Sequence, residues 1–470
     1  MTDSYDVIVI GAGAAGLTAS AVVGALDKRV ALIEREHLGG DCTWTGCVPS
    51  KALLKVARIA HTVRIADQFG IQAAPSQVDM RFVRAHIQTI IQEIYQHETP
   101  EAFSKRGVDV IQGTARFIDP HHVVVGDRTL RAKKFVIATG ARPTVPNIPG
   151  IESIPYKTNL NLFDNDVLPE HLLVLGAGPI GMEMAQAYTR LGARVTVVGE
   201  AVLPRDEPDA VTVLRRVLEQ EGVRFVLGQV IGVRQDNGEV VLTTHTGTEV
   251  QGDMLLVAVG RTPNVDLLAL DKAGVAFSPQ GIPVNAYLQT NIPHIYAAGD
   301  CTTGPKFTHY AGAQGAVAGR NTLLPFAKSK GLPQHVPWVT FTEPELAHIG
   351  LTEAEARNQH GAAAKVFILP LTEGDRSVAD RDTQGFVKLV YKSGGKLLGA
   401  TVLADRAGEM IAEYTLVMND KLSLHDLDKV MHPYPTYADI AKKAVSNLLI
   451  EELLASRGFR LLKRLVRWLP

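Results

Sequence analysis

Three features of the sequence predict an α/β chain built on two Rossmann-like dinucleotide-binding units. A pattern of apolar strand, glycine-rich turn and helix occurs twice. The turns are Gly11-Ala-Gly13-Ala14-Ala15-Gly16 and Gly176-Ala-Gly178-Pro-Ile-Gly181, 165 residues apart. Each follows a short run fit for a buried parallel strand, DVIVI at 6–10 and HLLVL at 171–175. The third feature lies between them: Gly39 to Lys51 reads GGDCTWTGCVPSK and carries two of the three cysteines, Cys42 and Cys47.

Taken in order, the first turn opens a helix of small residues and is followed by a second strand, RVALIE, ending at Glu34. One GxGxxG alone is weak evidence, but this one sits in strand–turn–helix context. Its glycines let backbone approach a pyrophosphate at the helix N-terminus, and Glu34 can accept from a ribose hydroxyl. The cysteine stretch comes next. Five residues turn a helix through about 500° at about 100° per residue, placing the two sulfurs about 140° apart. A disulfide there requires a distorted first turn, which Gly39, Gly40 and Gly46 can allow. Zinc needs four ligands, and three cysteines are too few. A structural disulfide closing so short a loop would stabilise little. A redox-active dithiol is the reading that remains.

The chain reads as helical from about Val78 to Arg106, then as strands in VDVIQGTARFI, HVVVG and KKFVIATGARP. Pro143, Pro146 and Pro149 form a stiff linker. After the second glycine turn, the strand RVTVV ends at Gly199-Glu200. A carboxylate there repels a 2′-phosphate and accepts from a hydroxyl, which favours NADH over NADPH.

The composition is that of a globular protein, 46% apolar and 21% charged. A net charge of −1 points to neither nucleic acid nor membrane. The N-terminus runs into a strand without a basic leader, and three cysteines suit a reducing compartment, so a cytoplasmic location is expected.

The cysteine stretch resembles the GGxCxxxGCxPSK signature of the flavin-dependent pyridine nucleotide–disulfide oxidoreductases, which include lipoamide dehydrogenase, glutathione reductase and mercuric reductase. The resemblance extends to about Ala455. It implies an FAD-binding domain (1–150), an NAD(P)-binding domain (151–270), a central domain completing the FAD site (271–340) and a C-terminal α+β dimerisation domain (341–455). It further implies a homodimer whose active sites draw on both chains. FAD would occupy the first glycine turn, with Thr139-Gly140 as its second contacting turn and Asp300 at the ribityl chain. Lys51 would sit beside the flavin, paired with Glu183. Cys47 would lie nearest the flavin and form a charge-transfer thiolate, with Cys42 exchanging with substrate. Gly260 and Arg261 open the turn that closes the second nucleotide domain, and the third cysteine, Cys301, is structural.

The dimerisation domain departs from the dithiol-handling members, which carry His-Pro-Thr followed by glutamate. Here the register reads Tyr434-Pro435-Thr436 and then Asp439. Tyrosine, with a reference pKa of about 10, is a poor base near neutral pH. His432, two residues away, is either a substitute base or an interface histidine. Tyrosine at that position, and Tyr156 after the linker, resemble the mercuric reductase branch. Cys42 and Cys47 would then be transient ligands of substrate Hg(II), a soft ion suited to thiolates. No cysteine follows Cys301, so the C-terminal pair of those enzymes is lacking. Dihydrolipoamide dehydrogenase and a membrane-associated NADH diaphorase or quinone reductase are the alternatives.

Residues 456–470 go beyond the family pattern. On a helical wheel Phe459, Leu461, Leu462, Leu465, Val466, Trp468 and Leu469 share one half, while Arg457, Arg460, Lys463, Arg464 and Arg467 share the other. Such a helix either packs on its own dimer or attaches peripherally to an anionic membrane.

Overall fold

The computed structural model describes residues 3–74, 77–324, 326, 328–330 and 332–466. They form two compact units. The first takes in residues up to 177, 187–200 and 224–332; the second takes in 178–186, 201–223 and 333 onward.

The first unit opens with β1 (Asp3–Ile10), α1 (Ala14–Gly24) and β2 (Val30–Glu34). The chain continues through β3 (Val108–Gln112), β4 (Ala115–Asp119), β5 (His122–Val125) and β6 (Arg128–Ile137). These strands form one sheet in the order β3–β2–β1–β6–β5–β4, with β16 (Ile295–Ala297) also paired to β6. β1 runs parallel to β2 and β6, and its residues 7–10 are buried on both faces, which is why those four are all apolar. Alternate side chains serve opposite cores. Ile8, Ile10, Phe117 and Phe135 pack on one face, and Val7, Val9, Leu32 and Val136 on the other.

A second sheet in this unit has the order β10–β9–β8–β14, from β8 (His171–Leu175), β9 (Arg194–Gly199), β10 (Val223–Leu227) and β14 (Met254–Val257). Beside it stands an antiparallel sheet of β11 (Val230–Asp236), β12 (Glu239–Thr244) and β13 (Glu249–Gly252). A two-stranded ribbon pairs β7 (Ala141–Pro143) with β15 (Arg261–Pro263).

The second unit is built on an antiparallel sheet ordered β17–β18–β21–β20–β19. The strands are β17 (Trp338–Thr340), β18 (Glu345–Gly350), β19 (Lys365–Pro370), β20 (Phe386–Lys392) and β21 (Lys396–Ala404). The helices Ala407–Asn419 and Tyr437–Ala455 cover it over a core that includes Val387, Leu389, Val402, Met410, Tyr414 and Val445. The predicted combination of two Rossmann-like sheets and a C-terminal α+β domain is what the molecule shows.

Two local expectations change. The helix expected from 78 to 106 is two helices, Met80–Tyr95 and Pro100–Ser104. Thr99 caps the second by accepting from the Ala102 N–H, and Pro100 has no N–H with which to continue the first. The tail helix spans Arg457–Val466, with Leu461 and Val466 exposed; Arg467, Trp468 and Leu469 lie outside the described residues.

Candidate active site

The cysteine stretch does not form a single distorted turn. It forms two helices, α2 (Gly40–Trp44) and α3 (Cys47–Arg64), separated by a break at Thr45 and Gly46. Cys42 ends up in the middle of α2 and Cys47 at the start of α3. The break resolves the 140° problem, because the second sulfur need not follow the first helix. Gly46 permits it through space: a Cβ there would lie 2.7 Å from the Asp41 carbonyl oxygen. The two thiols hydrogen-bond to each other, and that bond, with burial, holds the Cys42 thiol well above the ordinary range. Cys47 is the more exposed of the two.

The Thr308 hydroxyl lies 3.3 Å from Cys47 Sγ and also bonds toward Cys42. Thr308 begins the helix Thr308–Leu323, so the dithiol faces the positive end of a four-turn helix dipole. No sequence pattern linked Thr308 to a cysteine 261 positions away.

Asp41, inside the motif, carries no signal in the sequence pattern but is held on both carboxylate oxygens. One of its carboxylate oxygens accepts from the Thr45 hydroxyl at 2.5 Å and the Asn159 amide at 2.9 Å. The other lies 2.5 Å from the Arg261 guanidinium. Arg261 also donates to the Ala141 carbonyl at 2.8 Å and stands 3.5 Å from Asp300. Burial raises the Asp300 pKa, and Arg261 draws it back down. Lys51, one turn into α3, reaches the Ser50 hydroxyl at 3.4 Å.

The first glycine turn fits a dinucleotide phosphate. Gly11 has φ +98°, and a Cβ there would strike the Ala138 carbonyl at 2.4 Å. Gly13 precedes α1, Ala14 and Ala15 begin it, and no side chain caps the helix. The N–H groups at its start are therefore open to an anion. Gly16 packs on the Gly11 carbonyl, a close approach that any side chain would block. Glu34 is buried at the end of β2, its carboxylate accepting from the N–H groups of Ala12, Arg35 and Glu36. It lines a cavity of about 290 Å³ with Gly11, Thr114, Thr139 and Asn264. Thr139 donates to the Asn264 carbonyl at 2.7 Å, beside Gly140 at φ +67°. The turn from Gly260 through Arg261 to Asn264 thus lies against this first site.

At the second turn Gly176 repeats the positive φ of Gly11, at +112°. Gly178 precedes the helix Pro179–Leu191, which carries Gly181 and Glu183. Glu183 accepts from the Phe341 N–H at 3.0 Å. Glu200 is exposed just beyond β9. Tyr156 is half-buried against the core of the β8 sheet.

In the second unit Tyr434 is 69% exposed, and its hydroxyl donates to Asp375 at 2.5 Å. That acceptor pushes its pKa further up, away from any role as a base. His432 has a side chain only 4% exposed, and both ring nitrogens are engaged. Nε2 lies 2.8 Å from Glu413 and Nδ1 3.2 Å from the Val430 carbonyl. Asp439 stands in the first turn of the helix Tyr437–Ala455, its N–H bonded to the Thr436 hydroxyl.

Residues 5–315 match the pyridine nucleotide-disulphide oxidoreductase family, and residues 336–445 match its dimerisation domain. A mercuric reductase of Streptomyces lividans is 36% identical over 94% of this chain and 95% of its own length. A mercuric reductase of Bacillus cereus is 35% identical over 94% of this chain and 71% of its own. A dihydrolipoyl dehydrogenase of Thermus scotoductus is 34% identical over 95% of this chain and 97% of its own. Among solved structures, the HOCl-induced flavoprotein disulfide reductase RclA of Escherichia coli superposes with a TM-score of 0.85 at 28% identity, covering 94% of this chain and 99% of that one. RclA has also been solved as a Cu(II) complex. Two dinucleotide turns, a paired dithiol between them and these matches lead to one conclusion: the chain belongs to the pyridine nucleotide-disulphide oxidoreductases, flavin-dependent enzymes that use NAD(P)H.

Proposed function

We propose that this enzyme is a homodimeric, mercuric reductase-like flavoprotein that reduces Hg(II), or a similar thiol-reactive metal acceptor, bound at Cys42 and Cys47. The observation that carries the reading is the state of the base position. Tyr434 is tied to Asp375, and His432 is committed to Glu413 and a backbone carbonyl. Dithiol exchange needs a proton acceptor there, whereas two thiolates gripping a soft cation need none.

FAD, when bound, supplies the two-electron relay between nicotinamide and dithiol. The residues suited to hold it are Gly11, Gly13, Ala14, Ala15 and Gly16 at the pyrophosphate, Glu34 and the cavity beside it, Thr139 and Gly140, and Asp300 with Arg261. Thr308 and the helix behind it favour negative charge on Cys47, keeping that sulfur a thiolate. Cys42, the more buried partner, takes the acceptor. Overall, NADH and Hg(II) become NAD⁺, a proton and Hg(0), so two electrons are transferred. The test is NADH-dependent reduction of thiol-complexed Hg(II) by purified holoenzyme, with Cu(II), lipoamide and a quinone as parallel acceptors. Hg(II) turnover is expected to exceed the others. Turnover with lipoamide alone would show that Tyr434 does not preclude thiol exchange and would sink the metal reading.

NADH is the proposed coenzyme because the exposed Glu200 carboxylate stands where a 2′-phosphate would have to be accommodated. Glu200→Arg should move the NADPH-to-NADH ratio of kcat/KM toward NADPH by about tenfold, or about 1.4 kcal/mol. An unchanged ratio would remove Glu200 from the specificity site.

The tail is proposed to attach to anionic membrane. Among the described residues no helix is long and apolar enough to span a bilayer, but 457–466 is helical and carries four cationic residues and no acid. Full-length protein should sediment with phosphatidylserine vesicles. Equal sedimentation of a chain ending at Leu454 would discard the tail as the anchor.

A further inference from the structure

We propose that Asp41 is a positioning residue for the Cys42–Cys47 pair, its carboxylate fixing the geometry of the break between α2 and α3 and so setting how readily the two sulfurs join. The inference rests on the reading of the pair as redox-active.

A continuous helix through 40–64 would carry the sulfurs apart, so proximity depends on what holds residues 45 and 46 out of helical geometry. Gly46 makes the break possible, and Pro49 bars an unbroken helix because it has no N–H for the Thr45 carbonyl, but neither fixes the shape of the break. The contacts that fix it converge on Asp41. The Thr45 N–H closes on the Asp41 carbonyl at 2.9 Å, ending α2, and the Thr45 hydroxyl folds back onto the Asp41 carboxylate. The Thr45 carbonyl, whose partner along a helix would be Pro49 with no N–H to give, accepts from the Asn159 amide at 3.1 Å. That amide also donates to Asp41. Arg261, anchored on the Ala141 carbonyl, holds the other carboxylate oxygen. Asp41 is thus gripped by three donors, Thr45, Asn159 and Arg261, none of them more than half exposed, and the first residue of the break is tied to it.

Two sulfurs held together form a disulfide with a higher effective concentration than two sulfurs on a chain whose break is free to change shape. Loosening the break therefore favours the dithiol. In a glutathione buffer the step balances as follows. The Cys42 Sγ–Cys47 Sγ bond forms, the sulfur–sulfur bond of oxidised glutathione breaks, and two electrons and two protons pass to the two glutathione thiols.

The experiment equilibrates full-length FAD-loaded protein with oxidised and reduced glutathione, traps thiols by alkylation and counts them by mass. Asp41→Ala should lower the equilibrium constant for disulfide formation about tenfold. Asp41→Asn keeps an acceptor for Thr45 and Asn159 and should recover to within about threefold of wild type. Asn159→Ala, which frees the Thr45 carbonyl, should move the constant in the same direction as Asp41→Ala. A merely structural role would lower FAD content or Tm and leave the constant alone. A constant unchanged in folded Asp41→Ala, or an equal loss in Asp41→Asn, overturns the proposal. A wild-type chain forming no Cys42–Cys47 disulfide at any glutathione ratio overturns instead the reading of the pair on which it rests.

Discussion

Cys47→Ser is expected to bind FAD normally, to lose the long-wavelength charge-transfer absorption of the reduced enzyme, and to lose acceptor reduction by about 10³-fold or more, on the order of 4 kcal/mol of transition-state stabilisation. Cys42→Ser should lose turnover to the same degree and keep the absorption band. The asymmetry follows from the environments of the two sulfurs. Cys47 begins α3, is the more exposed sulfur, and receives the Thr308 hydroxyl at the N-terminus of a long helix, all of which favour a thiolate. Cys42 is the more buried, and its bond to Cys47 keeps it a thiol. Neither serine disturbs the phosphate turn, because the contacts of Gly11 and Gly16 are to Ala138 and to each other. Flavin content and absorbance measured before and after NADH addition separate the outcomes. A band surviving in Cys47→Ser would reverse the assignment of the two roles, and undiminished quinone reduction in both variants would favour a diaphorase.

The parts of this architecture that were legible in the sequence are those set by local chemistry. Gly11 and Gly176 stand where only a residue tolerating positive φ can lie against a neighbouring strand, so the turns could be read from single letters. Residues 7–10 and 172–175 before them are buried throughout and apolar without interruption. What could not be read is what arises from distant segments meeting. Thr308, Asn159 and Arg261 are ordinary polar residues in sequence, and each acquires a role through a partner more than a hundred positions away. Asp41 could have been suspected as an acid next to a cysteine, a costly neighbour for a thiolate unless a cation lies beside it. His432 reads in sequence as either a substitute base or an interface histidine, and the two acceptors at its ring nitrogens could not be read from its neighbours in the chain.

Lys388→Met should destabilise the enzyme by about 3–5 kcal/mol at neutral pH, lowering Tm by roughly 10 °C. The lysine is on β20, only 1% exposed, with apolar residues on either side of it in the strand. Its ammonium lies 2.9 Å from Glu207, 2.7 Å from Asp209 and 2.8 Å from Glu353, so all three of its protons have a carboxylate acceptor. Burial pulls the ammonium pKa down, and the hydrogen bonds to Asp209, Glu353 and Glu207 more than reverse the effect. The contribution of a raised lysine is complete below its ordinary value of about 10.4 and is lost only as pH climbs through the folded value. Lys388, with Arg357, conversely holds the Glu353 carboxyl below the usual range. That contribution is complete above the ordinary glutamate pKa of about 4.3 and is lost as pH falls through the lower folded value. Methionine fills much of the lysine's volume and removes the only cation bonded to the buried Glu207 among the described residues. Three carboxylates then face one another with only Arg357, on Glu353, to compensate them at pH 7, and protonation relieves them. The Tm gap between wild type and Lys388→Met should therefore narrow as pH falls from 7 toward 4. A gap that stayed constant would mean the loss is one of packing alone. A loss below about 1 kcal/mol would put this cluster in the class of surface pairs, which its burial argues against. Because every group involved lies in residues 201–223 or beyond 333, dithiol chemistry at Cys42 and Cys47 should remain intact in whatever fraction stays folded, and kcat per bound FAD is the readout that tells lost stability from lost catalysis.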